Sequence, residues 1–329
     1  MTVRLSTHFL KAGDAAVAAA ARCLRDGGLV AFPTETVYGL GADAGNAEAI
    51  ARLYRAKGRP SFNPLIAHVG DLESARQIAS FNPQALALAE AFWPGPLTLV
   101  LPKAPGCAVA DLATAGLDSV AIRVPSHPVA RAILRAFGGA VVAPSANLSG
   151  HVSPTTAAHV KADLDGRIDL IVDGGPVAVG VESTIVGCLD APMLLRPGGL
   201  PRAEIERVLG RKLADVIDEA DADAKPLAPG MLVSHYAPRT KVRLDADRLE
   251  PGEALLAFGP VAMPGAEAAS AVLNLSERGD LNEAAAHLFS YLRALDASGA
   301  RGIAVMPVPQ HDLGEAINDR LRRAAVPRD

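Results

Sequence analysis

Aromatic residues are scarce in this chain, at 4% of 329 residues, so alanine, valine and leucine must fill any core. Half of the residues are hydrophobic, which is ample for one. Cysteine is nearly absent: Cys23, Cys107 and Cys188 are odd in number, far apart and form no C-x-x-C pair. That excludes a disulfide framework and a Cys/His zinc cluster. It fits reduced thiols and a cytoplasmic location. No run approaches the roughly 18 apolar residues that a membrane helix needs. The segment Ala15 to Ala21 is short and cut by Arg22. It reads as part of an amphipathic helix from about Asp14 to Gly27-Gly28, not as a signal segment. There is no basic tail, and the net charge is −4. Sequence-independent nucleic-acid affinity rests on many lysines and arginines, so tight RNA binding by the chain alone is disfavoured; a local basic cleft stays possible.

The length suits two domains, since single cores rarely grow much past about 250–300 residues. Helix and strand patterns alternate up to Gly210. Asn46 suits an N-cap for a helix carrying Ile50, Leu53 and Tyr54, with Gly58 at its end. Asn82-Pro83 opens another helix with proline at its first position. Ser126 is expected to cap a helix bearing Val129, Ile133, Leu134 and Phe137. The stretch Asp218 to Pro226 is acidic and poor in apolar residues, which is linker composition. A second α/β block follows. Its strands are expected near Lys241 to Leu244, Ala254 to Phe258, Ala271 to Leu275 and Gly302 to Met306, with a helix over Leu281 to Leu295. It carries no strong catalytic constellation.

The most informative segment is Phe32-Pro33-Thr34-Glu35-Thr36-Val37-Tyr38-Gly39-Leu40-Gly41. It follows a short apolar run, Leu29-Val30-Ala31, read as a buried strand that Pro33 ends. In open α/β sheets, ligands bind beyond the carboxyl ends of strands. Gly39 and Gly41 allow a tight turn or a close approach. Three readings stand on this pattern alone: a bare strand-to-helix turn, a ligand loop, and a dinucleotide fingerprint. The last matches poorly, because Thr34 to Tyr38 separate the strand from the first glycine.

Further motifs follow in order. Lys57-Gly58-Arg59-Pro60-Ser61-Phe62-Asn63-Pro64 places cations on a proline-stiffened loop, and Leu65-Ile66-Ala67-His68-Val69 reads as a strand. Ser119-Val120-Ala121-Ile122-Arg123-Val124 puts an arginine inside an apolar strand. Ala143-Pro144-Ser145-Ala146-Asn147-Leu148-Ser149-Gly150, Glu182-Ser183-Thr184 and Leu195-Arg196-Pro197-Gly198 complete the set. Arginine suits bidentate binding of carboxylate or phosphate. For any one cation a surface salt bridge is the competing reading. It fits Arg123 least, because an unpaired charge in a buried strand is costly. His68, taken alone, reads more readily as a satisfied core histidine. The whole would suit a polyanion whose charge spreads in the transition state.

This ordered set resembles the YrdC-like family. Over its full length the chain is similar to that family's longer, two-domain form, the threonylcarbamoyl-adenylate synthases. The resemblance implies an α/β fold: a YrdC-like twisted mixed sheet with flanking helices, plus a smaller C-terminal Rossmann-like α/β domain. The expected divisions are a catalytic domain over 14–200, a linker or lid over 201–240 and the second domain over 241–329. The expected enzyme is a nucleotidyltransferase. It condenses L-threonine, bicarbonate or CO2, and ATP with Mg2+ into threonylcarbamoyl-adenylate and pyrophosphate. Other proteins would then pass the threonylcarbamoyl group to a tRNA adenosine beside the anticodon, and weak tRNA contact by this chain is conceivable.

By the same resemblance Lys57 and Arg59 are the catalytic candidates. Thr36, His68, Arg123, Ala143 and Ser183 match threonine positions; Ala143 could serve only through its backbone. Arg59, Asn63, Ser119, Ser145, Ser153, Arg196 and Tyr236 match positions around ATP. Tyr236 lies in His235-Tyr236-Ala237-Pro238, where Pro238 favours an extended backbone before it. A strap presenting that tyrosine could close over a ligand, or it could merely dock the linker. A carbamoyl-adenylate-forming domain of the hydrogenase-maturation type shares the fold, but such chains are expected to carry zinc-binding cysteine pairs, which are lacking here. A double-stranded-RNA-binding module is the alternative from another class.

Overall fold

The structure, a computed structural model, describes residues 5–215, 236–260 and 263–326. His235, the Ala228-Pro229-Gly230-Met231 segment and the acidic stretch from Asp218 to Pro226 lie outside the described residues.

The N-terminal block opens with β1 (His8–Lys11), α1 (Asp14–Arg25), β2 (Val30–Pro33), β3 (Tyr38–Asp43), α2 (Ala47–Lys57) and β4 (Ile66–His68). It continues through α3 (Leu72–Arg76), α4 (Pro83–Phe92), β5 (Leu97–Pro102), β6 (Ser119–Arg123), α5 (Pro128–Phe137) and β7 (Val141–Val142). It closes with α6 (Ala157–Leu164), β8 (Leu170–Asp173), β9 (Thr184–Gly187), β10 (Met193–Arg196), α7 (Arg202–Leu209) and β11 (Ala214–Asp215). These strands form one mixed sheet of 11 in the order β1-β8-β2-β3-β7-β4-β6-β5-β9-β10-β11.

Local signals place the helices. Asn46 accepts hydrogen bonds from the Glu48 and Ala49 amides, and Gly58 ends α2 in the left-handed region. Asn82 accepts from the Ala85 amide, with Pro83 at the first helical position. Ser126 does not cap α5; His127 does, accepting from the Val129 amide. The Gly39–Gly41 segment is also not a turn. It belongs to β3, which pairs antiparallel with β2 through Pro33–Tyr38 and Val30–Gly41. Gly41 is needed for close approach, since a Cβ there would lie 2.7 Å from the Phe32 ring.

The C-terminal block contains β12 (Val242–Arg243), β13 (Glu253–Ala257), β14 (Val272–Asn274), α8 (Leu281–Asp296), β15 (Gly302–Val305) and α9 (Leu313–Ala325). Its strands are ordered β12-β15-β13-β14, and all pair in parallel. This is the expected Rossmann-like arrangement. The segment expected as linker starts later than residue 201, because α7 buries Ile205 in the N-terminal core.

The two blocks share an apolar seam. Val37, Val152 and Val181 of the N-terminal block pack in one cluster with Leu281, Ala285, Leu288 and Phe289. Gly180 has φ +81°, and a Cβ there would sit 2.2 Å from the Ala285 carbonyl oxygen of α8. Polar contacts flank the seam: Arg293 to Asp163 at 2.8 Å, Thr155 to Ser290 at 2.7 Å and Arg202 to Glu315 at 2.6 Å.

Candidate active site

The carboxyl ends of β4 and β6 lie side by side, with His68 in register with Arg123. Beside them runs the turn from β2 to β3. Its Thr34 hydroxyl donates to the Val37 carbonyl at 2.6 Å and accepts from the Thr36 amide at 3.2 Å. This local bonding fixes a buried turn whose Thr36 hydroxyl faces Arg123.

Arg123 is buried and held on several sides. Its Nη1 donates to Thr36 Oγ1 at 2.9 Å, its Nη2 to Glu35 Oε1 at 2.6 Å and its Nε to the Gly95 carbonyl at 3.2 Å. Glu35 Oε2 accepts in turn from the Ser126 amide at 3.0 Å. Burial would push the Glu35 carboxyl up, but the Arg123 charge outweighs it and the group sits below its ordinary value. One N–H on each terminal nitrogen of Arg123 stays available to a carboxylate, a geometry that guanidinium groups favour. Beside it His68 is held neutral. Burial first, then the Arg123 charge, pull it down to about 3.

A narrow cavity of ≈ 50 Å³ opens here, lined by Thr36, His68, Arg123, Ala143 and Ser183 together with Arg59, Ser145, Glu182, Arg196 and Tyr236. That is room for a few water-sized groups. A wider groove of ≈ 700 Å³, lined by Arg25, Asp71 and Phe137 among others, shares no residue with it. None of that groove's charged side chains is buried, whereas the smaller cavity gathers buried arginines and hydroxyls.

Arg196 donates to the Ser183 carbonyl at 2.8 Å and to Ser183 Oγ at 3.3 Å. Ser183 Oγ also bonds Thr98 Oγ1 at 2.7 Å. The chain crosses closely here: a Cβ on Gly198 would lie 2.4 Å from the Glu182 carbonyl oxygen. Arg59 donates to the Asn63 and Pro64 carbonyls at 3.4 and 3.1 Å. Its Nε has no partner, and among the described residues no carboxylate forms an ion pair with it. Burial pulls it down to about 10, so it stays charged at neutral pH. A buried cation without a counter-charge is a prepared anion site.

Tyr236 is buried, lines the cavity and has a left-handed backbone with φ 63°. Its ring stacks on Phe289 of α8 at 5.5 Å. It therefore docks between the blocks and faces the cleft at once.

Some expected residues do not line the cavity. Lys57 Nζ donates to the Ser145 and Asn147 carbonyls, each at 2.5 Å, beneath the loop that carries Ser145. Burial, and the Arg59 charge nearby, pull it well below the ordinary ammonium value. Its hydrogen bonds tie it to that loop. Asn63 lies under Arg59, and its Oδ1 is buried without a partner. Ser153 donates to Glu182 Oε1 at 2.5 Å. Ser119 and Arg123 share one face of β6, but Ser119 starts the strand and Arg123 ends it, about 13 Å apart along its axis. Between them that face of the sheet is an apolar floor of Ile66, Val100, Ala121, Ile185 and Leu195.

Sequence reasoning passed over Glu35, Glu182 and Arg320. The first two stand inside quoted motifs, but their arginine partners lie 88 and 138 residues away, so no local signal marked the pairs. Arg320 gave no signal either.

Two family models cover the chain. Residues 22–198 match the Sua5–YciO–YrdC family, whose description reads "Telomere recombination". Residues 200–326 match the C-terminal domain of threonylcarbamoyl-AMP synthase. The chain belongs to this family. A threonylcarbamoyl-AMP synthase of Bacillus subtilis is 43% identical over 97% of this chain and 95% of its own. One from Pyrococcus abyssi is 42% identical over 93% of each. The crystal structure of P. abyssi Sua5 complexed with L-threonine superposes with a TM-score of 0.87, at 38% identity and covering 97% of both chains. Escherichia coli YciO, 24% identical, shares the fold over 59% of this chain with a TM-score of 0.54.

Proposed function

We propose that the cleft joins L-threonine, bicarbonate or CO2, and ATP into threonylcarbamoyl-adenylate, releasing pyrophosphate, for tRNA modification next to the anticodon. The observation that carries this reading is the contrast between its cations. Arg123 is neutralised by Glu35 yet keeps N–H groups for a carboxylate, whereas Arg59 has no ion-pair partner and suits phosphate.

Threonine's carboxylate meets Arg123, with the Thr36 and Ser183 hydroxyls and neutral His68 around it and the Ala143 backbone alongside. Its amine, carboxylated to a carbamate, presents an oxygen to the α-phosphorus of ATP. The new P–O bond forms as the bond to pyrophosphate breaks, so no protein nucleophile is required. Arg59 and Arg196 stabilise charge on the phosphates, and Ser145 and Tyr236 border the nucleotide. Lys57, Asn63 and Ser153 act beneath the surface by holding the loops that carry these groups; Ser119 marks the far end of the floor. Catalysis here is positioning and electrostatic stabilisation.

Mg2+ enters with ATP as part of the substrate. Among the described residues no cluster of three or more His, Cys, Asp or Glu could hold a metal ion. Glu35 and Glu182 are engaged by arginines. That fits an ion bound chiefly through substrate phosphates. Among the described residues no helix is long and apolar enough to cross a membrane.

A pyrophosphate-release assay, omitting each component in turn, tests the reading. Pyrophosphate should appear only with threonine, bicarbonate and MgATP together. Serine should serve less well, since a missing methyl costs about 1–3 kcal/mol in a fitted pocket. Equal ATP turnover with no amino acid present would overturn it.

A further inference from the structure

We infer that Arg320, on α9 of the C-terminal block, is a positioning residue that fixes the nucleotide end of the cleft, so that the second block completes the active site. The inference rests on the reading of the cleft given above.

Arg320 is fully buried, with 0% of its surface exposed. Every side of its guanidinium is engaged. Nε donates to Glu182 Oε2 at 2.7 Å, and Nη2 donates to the Pro197 carbonyl at 3.0 Å. Nη1 donates to Asp319 on the same helix, and Arg323 braces Asp319 at 3.1 Å. The guanidinium carbon lies over the Tyr236 ring, 5.2 Å from its centroid. Each contact across the seam ends on a cleft residue or beside one. Glu182 and Tyr236 line the cavity, and Pro197 follows Arg196. Glu182 also accepts the Ser153 hydroxyl, so Arg320 sets the direction of that serine through a shared carboxylate.

Docking alone does not require this network. The Val37, Val152, Val181, Leu288 and Phe289 cluster already holds the blocks together. A buried ion pair adds little cohesion beyond what packed apolar side chains supply. What a planar, several-sided donor adds is direction. Burial would raise the Glu182 carboxyl, but the Arg320 and Arg196 charges hold it at about 2. The pair is therefore ionised throughout the working range. A lysine could meet Glu182 as a point charge, but could not also hold the Pro197 carbonyl and cover the ring.

The test uses the full chain, with calorimetric titrations of threonine alone and of MgATP with threonine present. The variants are Arg320→Lys, Arg320→Met and the charge-free pair Glu182→Gln/Arg320→Met, each checked for a cooperative thermal melt. Arg320→Lys should weaken ATP binding by about tenfold or more while threonine affinity stays within about twofold. The paired variant should regain thermal stability but not ATP affinity. Two results would overturn the inference. One is unchanged ATP affinity in folded Arg320→Lys. The other is equal loss of both ligands, which marks general loosening. Threonine-dependent pyrophosphate release by the unmodified protein is the control. Its absence would count against the cleft reading itself, whereas its presence with unmoved ATP affinity in the variants would count against Arg320 alone.

Discussion

The two ends of the cleft are built differently. The threonine end is local to one block: Arg123, Glu35, Thr36 and the Gly95 carbonyl all belong to the N-terminal sheet and its loops. The nucleotide end is assembled across the seam, where Arg320 of α9 reaches Glu182, Pro197 and Tyr236. Each end uses a buried arginine paired with a glutamate. In one the pair is closed within a single folding unit; in the other it reports whether two units are docked. On the proposed reading, recognition of the small substrate would be built into the catalytic fold, and grip on the large one would depend on the appended block.

The strongest challenge to this contrast is Arg123→Ala. It leaves Glu35 buried without its cation, so stability should fall by about 3–5 kcal/mol. Threonine affinity should fall roughly a hundredfold. Glu35→Gln/Arg123→Ala, with both charges gone, should recover much of the stability but none of the binding. Recovery of threonine binding in that double variant would show that Arg123 serves the fold only.

Gly180→Ala probes the seam instead. A methyl group there meets the α8 backbone and must also adopt a positive φ. The expected cost is about 1–3 kcal/mol of stability, through undocking and through strain on the Thr36 turn, whose carbonyl accepts from the Gly180 amide at 3.2 Å. Chemical denaturation followed by tryptophan fluorescence reports it, since Trp93 lies in the N-terminal block, and a lower ATP affinity should accompany it.

A smaller effect is expected from pH. Burial, with Arg123 nearby, lowers His68 to about 3. Burial, with Arg293 nearby, lowers His159 to about 4. Both are neutral in the fold, while the unfolded chain takes up protons near 6.5. Stability is therefore full above about pH 6.5 and falls on acidification, by at most about 1.4 kcal/mol per pH unit for each histidine. His159→Gln should make the decline of the melting temperature shallower. The Glu182 contribution should persist until pH drops below its ordinary 4.5 and vanish towards about 2. A melting temperature that rises between pH 6.5 and 5 would contradict these assignments.

The same contrast governs what the sequence could disclose. Signals carried by neighbouring residues read through to the structure: the Asn46 and Asn82 caps, the proline opening α4, and the order of motifs that surround the cleft. Signals spread over distance did not. Gly39 and Gly41 allowed either a turn or a close approach, and the choice was hidden because the close neighbours are Phe32 and Ala143 across the sheet. Ser126 looked like a cap, but its amide serves Glu35, which lies 91 residues earlier. Lys57 sits in a cationic motif, yet its ammonium is spent on carbonyls 88 and 90 residues away. Arg320 meets Glu182 across 138 residues. Pairing across such distances is a property of the tertiary fold, and no local spacing encodes it.

The most direct test of the divided cleft is a paired set of titrations on Arg123→Ala and Arg320→Lys, each with threonine and with MgATP. Separate loss is the predicted result. Arg123→Ala should lose threonine, while Arg320→Lys should keep threonine affinity within about twofold and lose about tenfold in ATP affinity. Loss of threonine binding to the same extent in both variants would contradict the account, because the threonine end would then depend on the second block as well.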